Sequence, residues 1–142
     1  MESEQFRMRV FVYGTLTDPD QTATLLEDGP GEYEFGSTAV LEGVHRVDGH
    51  YPTLAPGGSV EGRLLVVDET ALERLDQYEG VDRGLYTRVA VSQIDQQPVW
   101  TYVGDPERLG VDLDAPWPDG PSFRASVRSY LDRTETAIRT TE

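Results

Sequence analysis

From Arg7 to Tyr13 the chain reads RMRVFVY, an alternation that closes into a dense apolar run, as in a buried first strand. Asp18 and Pro19 then suit the cap and first position of a short helix through Leu25-Leu26, stopped by Gly29-Pro30-Gly31. Phe35 to Leu41 and Val44 to Val47 read as two short strands divided by Gly43. His50-Tyr51-Pro52-Thr53-Leu54 leads to an expected turn at Pro56-Gly57-Gly58. Ser59 to Val67 is the clearest half-buried strand, with Val60, Leu64 and Val66 apolar and Gly62 allowing close backbone approach. Asp68 caps a helix whose Ala71, Leu72, Leu75 and Tyr78 form one apolar stripe, and Gly80 ends it. Tyr86 to Ile94 and Val99 to Val103 pattern as a hairpin through Asp95-Gln96-Gln97-Pro98. A proline- and aspartate-rich loop, Asp105 to Pro121, precedes a final amphipathic helix marked by Phe123, Val127, Tyr130, Leu131 and Ile138, with Ser122 as its cap. Strands and helices mix without strict β-α-β alternation, which favours an α+β domain over a doubly wound sheet.

Length and composition narrow the class. The 142 residues fit one domain, 1–142, and a chain of this size hides roughly 68% of its unfolded surface without staples. Cysteine is absent, which removes thiol nucleophiles, cysteine-zinc sites and disulfides together. Met1 to Arg7 is polar and acidic, and no apolar run reaches membrane-spanning length, so the expected location is the cytoplasm. Twenty-six acids face 12 bases, all arginine, for a net charge of −14. Self-repulsion of this kind is tolerated where salt screens it, so the balance points to a halophilic setting; an acidic mesophile protein is the plainer alternative. Without a basic face, nucleic acid and anionic membranes are not expected partners.

Two segments carry candidate chemistry. In Tyr13-Gly14-Thr15-Leu16 a glycine follows the first strand, and the amides after it could point at a carboxylate or an oxyanion. An ordinary strand-to-helix turn would look the same. Glu79 stands in the last turn of its helix, where the dipole disfavours a carboxylate, between Tyr78 and Gly80-Val81. Both influences raise its pKa toward the range a general base needs. Asp76 and Glu79 read equally as solvated acids at a helix end. Tyr86 and Tyr102 are candidate pocket donors or simply core tyrosines.

Taken in order, Val10-Phe11-Val12-Tyr13-Gly14-Thr15-Leu16, Tyr51-Pro52-Thr53-Leu54, Val60-Glu61-Gly62-Arg63-Leu64, Leu75-Asp76-Gln77-Tyr78-Glu79-Gly80, Leu85-Tyr86-Thr87-Arg88-Val89 and Trp100-Thr101-Tyr102-Val103 resemble the gamma-glutamylcyclotransferase-like family, including its gamma-glutamylamine cyclotransferase branch. The resemblance spans about 9–104 and leaves 105–142, the loop and C-terminal helix, without a matching motif. It implies an α+β fold, a small mixed β-barrel with flanking helices and a pocket at its mouth. It implies that Tyr13, Gly14, Thr15 and Leu16 hold the glutamyl end of a small-molecule substrate, that Glu79 is the catalytic acid/base, and that Tyr86 and Tyr102 line the pocket. The implied reaction closes a lactam within a gamma-glutamyl amide, releasing 5-oxoproline and an amine without a cofactor. A barrel that binds a small molecule without turnover is the alternative, and an interaction domain a third reading, since fold does not fix function.

Other signals fail on spacing. His45 and His50 lack partners for zinc, and Asp112, Asp114, Asp119 and Gly120 do not make a calcium loop. Gly29, Gly31 and Gly36 follow a helix and miss the dinucleotide fingerprint, and without lysine there is no phosphate loop or Schiff base.

Overall fold

The apolar run after Arg7 forms a central strand, β1 (Met8–Val12), with Val10, Phe11 and Val12 all buried. Phe11 enters one core cluster while Val10 and Val12 enter another, which explains a run of apolar residues where a one-faced strand would alternate. The computed structural model describes residues 8–14, 18–26, 33–48, 52–94, 97–111, 113, 117–118, 120–134 and 137–140. The remaining strands are β2 (Tyr33–Val47), β3 (Thr53–Val67), β4 (Tyr86–Ile94), β5 (Gln97–Gly104) and β6 (Ala137–Thr140). They make one mixed sheet in the order β4-β5-β1-β3-β2-β6, curled into a half-barrel, in which only β1 and β5 run parallel.

Helices cover both faces. Helix α1 (Pro19–Leu26) and helix α2 (Glu69–Glu79) bury Leu26, Ala71, Leu72 and Leu75 against Val10, Val12, Leu65 and Val67. Full burial of Leu72 and Leu75 contributes about 1.5–3 kcal/mol each. The Asp68 carboxylate accepts from the Ala71 N–H at 2.9 Å, satisfying one of the orphan donors at the start of α2. Helix α3 (Pro106–Leu109) is a single turn capped by Asp105. Helix α4 (Phe123–Arg133), capped by Ser122, covers the opposite core with Phe123, Val127, Tyr130 and Leu131.

Four expectations from the local pattern need correcting. The two short strands around Gly43 are one strand, β2, which bulges at Gly36-Ser37 and runs on through Gly43. The turn expected at Pro56-Gly57-Gly58 is likewise a bulge inside β3, with φ of 96° and 80° at the two glycines. Ile138, placed on the last helix by spacing, lies in β6, because pairing with Leu41 of β2 wins over a fourth helical turn. Asp105 to Pro121 is not wholly loop, since Asp105-Pro106 starts α3.

Tyr130 ties these features together. Its hydroxyl donates to the Gly43 carbonyl at 2.6 Å and accepts from the Gly57 N–H at 3.0 Å, so one phenol on α4 satisfies backbone groups on both strands of one bulge, where Gly43 faces Gly57-Gly58. Tyr130→Phe is expected to cost about 1–2 kcal/mol, because it strands two backbone groups instead of removing a matched pair. Urea unfolding checks this; a loss below about 0.5 kcal/mol would mean that water replaces the phenol at no cost.

Candidate active site

At one end of the sheet the C-terminal ends of the parallel strands β1 and β5 meet the start of β4 and the last turn of α2. Among the described residues they enclose a cavity of about 380 Å³, within the range of small-molecule sites, lined by Tyr13, Gly14, Pro52, Glu79, Tyr86 and Tyr102 among others. Sequence positions 13 to 102 therefore converge on one space. Thr15 and Leu16, the rest of the expected donor loop, lie outside the described residues.

Glu79 reaches the cavity because α2 ends there. Gly80 turns left-handed at φ 73°, its N–H closing back on the Asp76 and Gln77 carbonyls. A side chain at this position would press on Leu85 at 2.9 Å, besides being strained at that φ. Glu79 is half-buried and, among the described residues, the only acid lining the cavity. Burial first, and the Asp76 carboxylate second, raise its pKa from 4.5 to about 7. Tyr78, expected on the apolar stripe, is 45% exposed at the cavity mouth, because the helix stops before anything can cover it.

The three tyrosines act differently from free donors. Tyr13 donates to the Tyr102 carbonyl at 2.5 Å, Tyr86 to the Pro52 carbonyl at 2.6 Å, and Tyr102 to the Asp76 carboxylate at 2.6 Å. Each phenol has one O–H, so each is committed to the protein and faces the cavity as a wall with an acceptor oxygen. Burial is the main cause that raises the pKa of Tyr13 and of Tyr102; Glu79 adds to both, and the Asp76 contact adds to Tyr102. The turn itself is anchored from outside, as Arg46 donates to the Tyr13 carbonyl at 2.8 Å.

Sequence reasoning missed one participant. Asp76 is not a solvated acid: it receives Arg88 through both carboxylate oxygens, at 2.9 and 3.3 Å, besides the Tyr102 hydroxyl. Arg88 in turn lies 4.7 Å over the Trp100 ring. The available signal was the spacing of Asp76 and Glu79, three apart and so on one side of a helix. Among the described residues no group of three His, Asp or Glu side chains is placed to hold a metal ion.

The profile of one protein family, described as gamma-glutamyl cyclotransferase, AIG2-like, matches residues 10–119. The chain belongs to that family. Solved structures share its fold. A protein from Arabidopsis thaliana, solved in solution, is 29% identical over 92% of this chain and 87% of its own, with a TM-score of 0.56. A mouse AIG2-like protein is 25% identical over 82% of this chain and 92% of its own, with a TM-score of 0.59. A structure named gamma-glutamyl cyclotransferase is 13% identical, covers 91% of this chain and all of its own, with a TM-score of 0.57, and so speaks for the fold alone. A search of curated protein sequences returns no match. For this cyclotransferase-family chain, the family match spans the turn after β1, the end of α2 and the strands that carry the tyrosines.

Proposed function

We propose that the protein is a gamma-glutamyl cyclotransferase-type enzyme that cleaves a gamma-glutamyl amide into 5-oxoproline and an amine, within the gamma-glutamylamine branch of the family. The observation that carries this reading is one carboxyl group, raised to about 7, in a small cavity walled by tyrosines beside the Gly14 turn. The substrate brings its own nucleophile, so neither a thiol nor a serine triad is needed. Held with its ends together, the intramolecular attack is worth up to about 7–11 kcal/mol.

The proton traffic fits one carboxylate. Glu79 takes a proton from the α-ammonium, and the freed nitrogen attacks the γ-carbonyl carbon, forming the ring C–N bond and an oxyanion. Protonated Glu79 then gives its proton to the amide nitrogen, the old C–N bond breaks, and the carbonyl reforms. The ring nitrogen still holds one proton too many. It passes by the same carboxylate to the departing amine, which leaves as ammonium. Two protons have moved from one nitrogen to the other, and Glu79 ends as it began. In this reading the backbone amide of Gly14 faces the oxyanion or the glutamyl carboxylate, and Thr15 and Leu16 are candidates to add to it.

The test offers the protein, in molar salt, gamma-glutamyl dipeptides and gamma-glutamyl-lysine, and measures 5-oxoproline. No product from any of them, with a folded sample, would sink the reading; binding without product would favour the non-catalytic alternative. Glu79 must be ionised to accept the first proton, so kcat/KM is expected to rise with pH through about 7. A flat profile between pH 5.5 and 8.5, measured at about half-unit steps, would remove Glu79 as the base.

A further inference from the structure

Asp76 has no part in the reaction just described, yet it is the most heavily bonded acid near the cavity. One turn before Glu79 on α2, it accepts the Arg88 Nε–H at 2.9 Å and an Nη2–H at 3.3 Å, and the Tyr102 hydroxyl at 2.6 Å. The ion pair is largely shielded, with about a quarter of each side chain exposed. It joins three elements, α2, β4 and β5. Two of its members, Asp76 and Tyr102, also touch the site, one through its charge on Glu79 and one as a cavity wall.

We propose that Asp76 is a positioning residue for Glu79: clamped by Arg88 and Tyr102, it locks the last turn of α2 against the sheet and keeps a fixed negative charge beside the carboxyl group that moves the proton. The proposal rests on the acid/base role given to Glu79, but its physical content can be measured without turnover.

A fixed dipole can be taken apart at either end. The charged and titratable groups facing Glu79 are Asp76 on its own helix, Tyr13 after β1, Tyr86 on β4, Tyr102 on β5 and Arg83 in the 3-10 helix Val81–Arg83, with Arg88 of β4 behind them as the countercharge of Asp76. Tyr13 and Tyr102, raised by burial, stay neutral through the range in which Glu79 titrates, so within the clamp the charge that bears on it is that of Asp76, with Arg88 acting as the countercharge of Asp76. Asp76→Asn keeps the size and a carbonyl acceptor but deletes the negative charge that opposes ionised Glu79. Arg88→Gln deletes the positive charge and leaves Asp76 to oppose it. The two halves of one ion pair thus shift the Glu79 titration in opposite directions, which a purely structural pair would not do.

The experiment follows carboxyl carbons by NMR in uniformly carbon-13-labelled protein, with the Glu79 signal assigned by its loss in Glu79→Gln. The Glu79 midpoint is expected below the wild-type value in Asp76→Asn and above it in Arg88→Gln. In the wild type, the Asp76 carboxyl signal is expected to show a step at the Glu79 midpoint that vanishes in Glu79→Gln; this holds even if a variant misfolds. Midpoints that stay put or move together, or a wild-type Asp76 signal without that step, would overturn the proposal. With a turned-over substrate, Asp76→Asn should move the acid limb of kcat/KM to lower pH and lower the plateau about tenfold. If no substrate is turned over but the midpoints split as stated, the cyclotransferase reading fails and the role of Asp76 stands.

Discussion

Glu79→Gln is expected to lower kcat for 5-oxoproline release by about 100- to 10,000-fold, the usual worth of a positioned acid/base. Gln keeps the shape and most of the contacts, so calorimetric binding of an unreactive gamma-glutamyl analogue should change little. The same substitution has a second signature, in stability. Glu79 has a folded pKa near 7 against an ordinary 4.5, so between those values the folded chain keeps a proton that the unfolded chain has lost. Stability therefore falls as pH rises from about 4.5 to 7, by about 3 kcal/mol for this one group, and stays lowered above. Gln carries no such penalty. The variant is expected to melt above the wild type at pH 8 and to match it near pH 4.5. A variant that turned over substrate normally, or that gained no stability at high pH, would show that Glu79 is neither the base nor desolvated.

Gly62→Ala is expected to be the most damaging substitution outside the cavity. Gly62 sits in β3, paired to Ala39 of β2, where the end of β1 crosses close above it. A Cβ there would lie 2.2 Å from the Val12 carbonyl oxygen and 2.7 Å from the Phe11 ring. Neither can yield easily: one is backbone in the centre of the sheet, and the other is fully buried. The cost is about 2–3 kcal/mol or more, the upper part of the overpacking range, and roughly 5–10 °C in Tm. Val12 leads directly into Tyr13 and Gly14, so any surviving folded protein should also bind substrate worse. Thermal melts and KM together test this; an unchanged Tm would mean that β1 can move away from β3.

The sequence was most readable where local chemistry decides structure. Helix α2 is bounded by a carboxylate cap at Asp68 and a left-handed glycine at Gly80, and both operate within a few residues. Glu79 was legible for the same reason, through its place in the last turn. What the local pattern could not carry were decisions taken across the sheet. Gly43 and Pro56-Gly57-Gly58 look like chain-breaking signals, yet long β2-β3 pairing runs through them as a single bulge. Ile138 fits a helical stripe, but the free edge of β2 claims it. The spacing put Asp76 beside Glu79, but its clamp was not legible, because the partners stand 12 and 26 residues away.

The three cavity phenols have a consequence for operating range. Each gives its only proton to a protein acceptor, and burial pushes Tyr13 and Tyr102 well above the usual phenol range. Tyr13 and Tyr102 therefore do not turn anionic in mildly alkaline solution and add no upper limb to the rate profile. Under the proposed reaction, the proton that Glu79 hands to the leaving nitrogen comes from the substrate's ammonium group, so alkali strong enough to remove it stops the transfer. The working window would then be closed at its acid end by a single glutamate and at its alkaline end by the substrate's own amine.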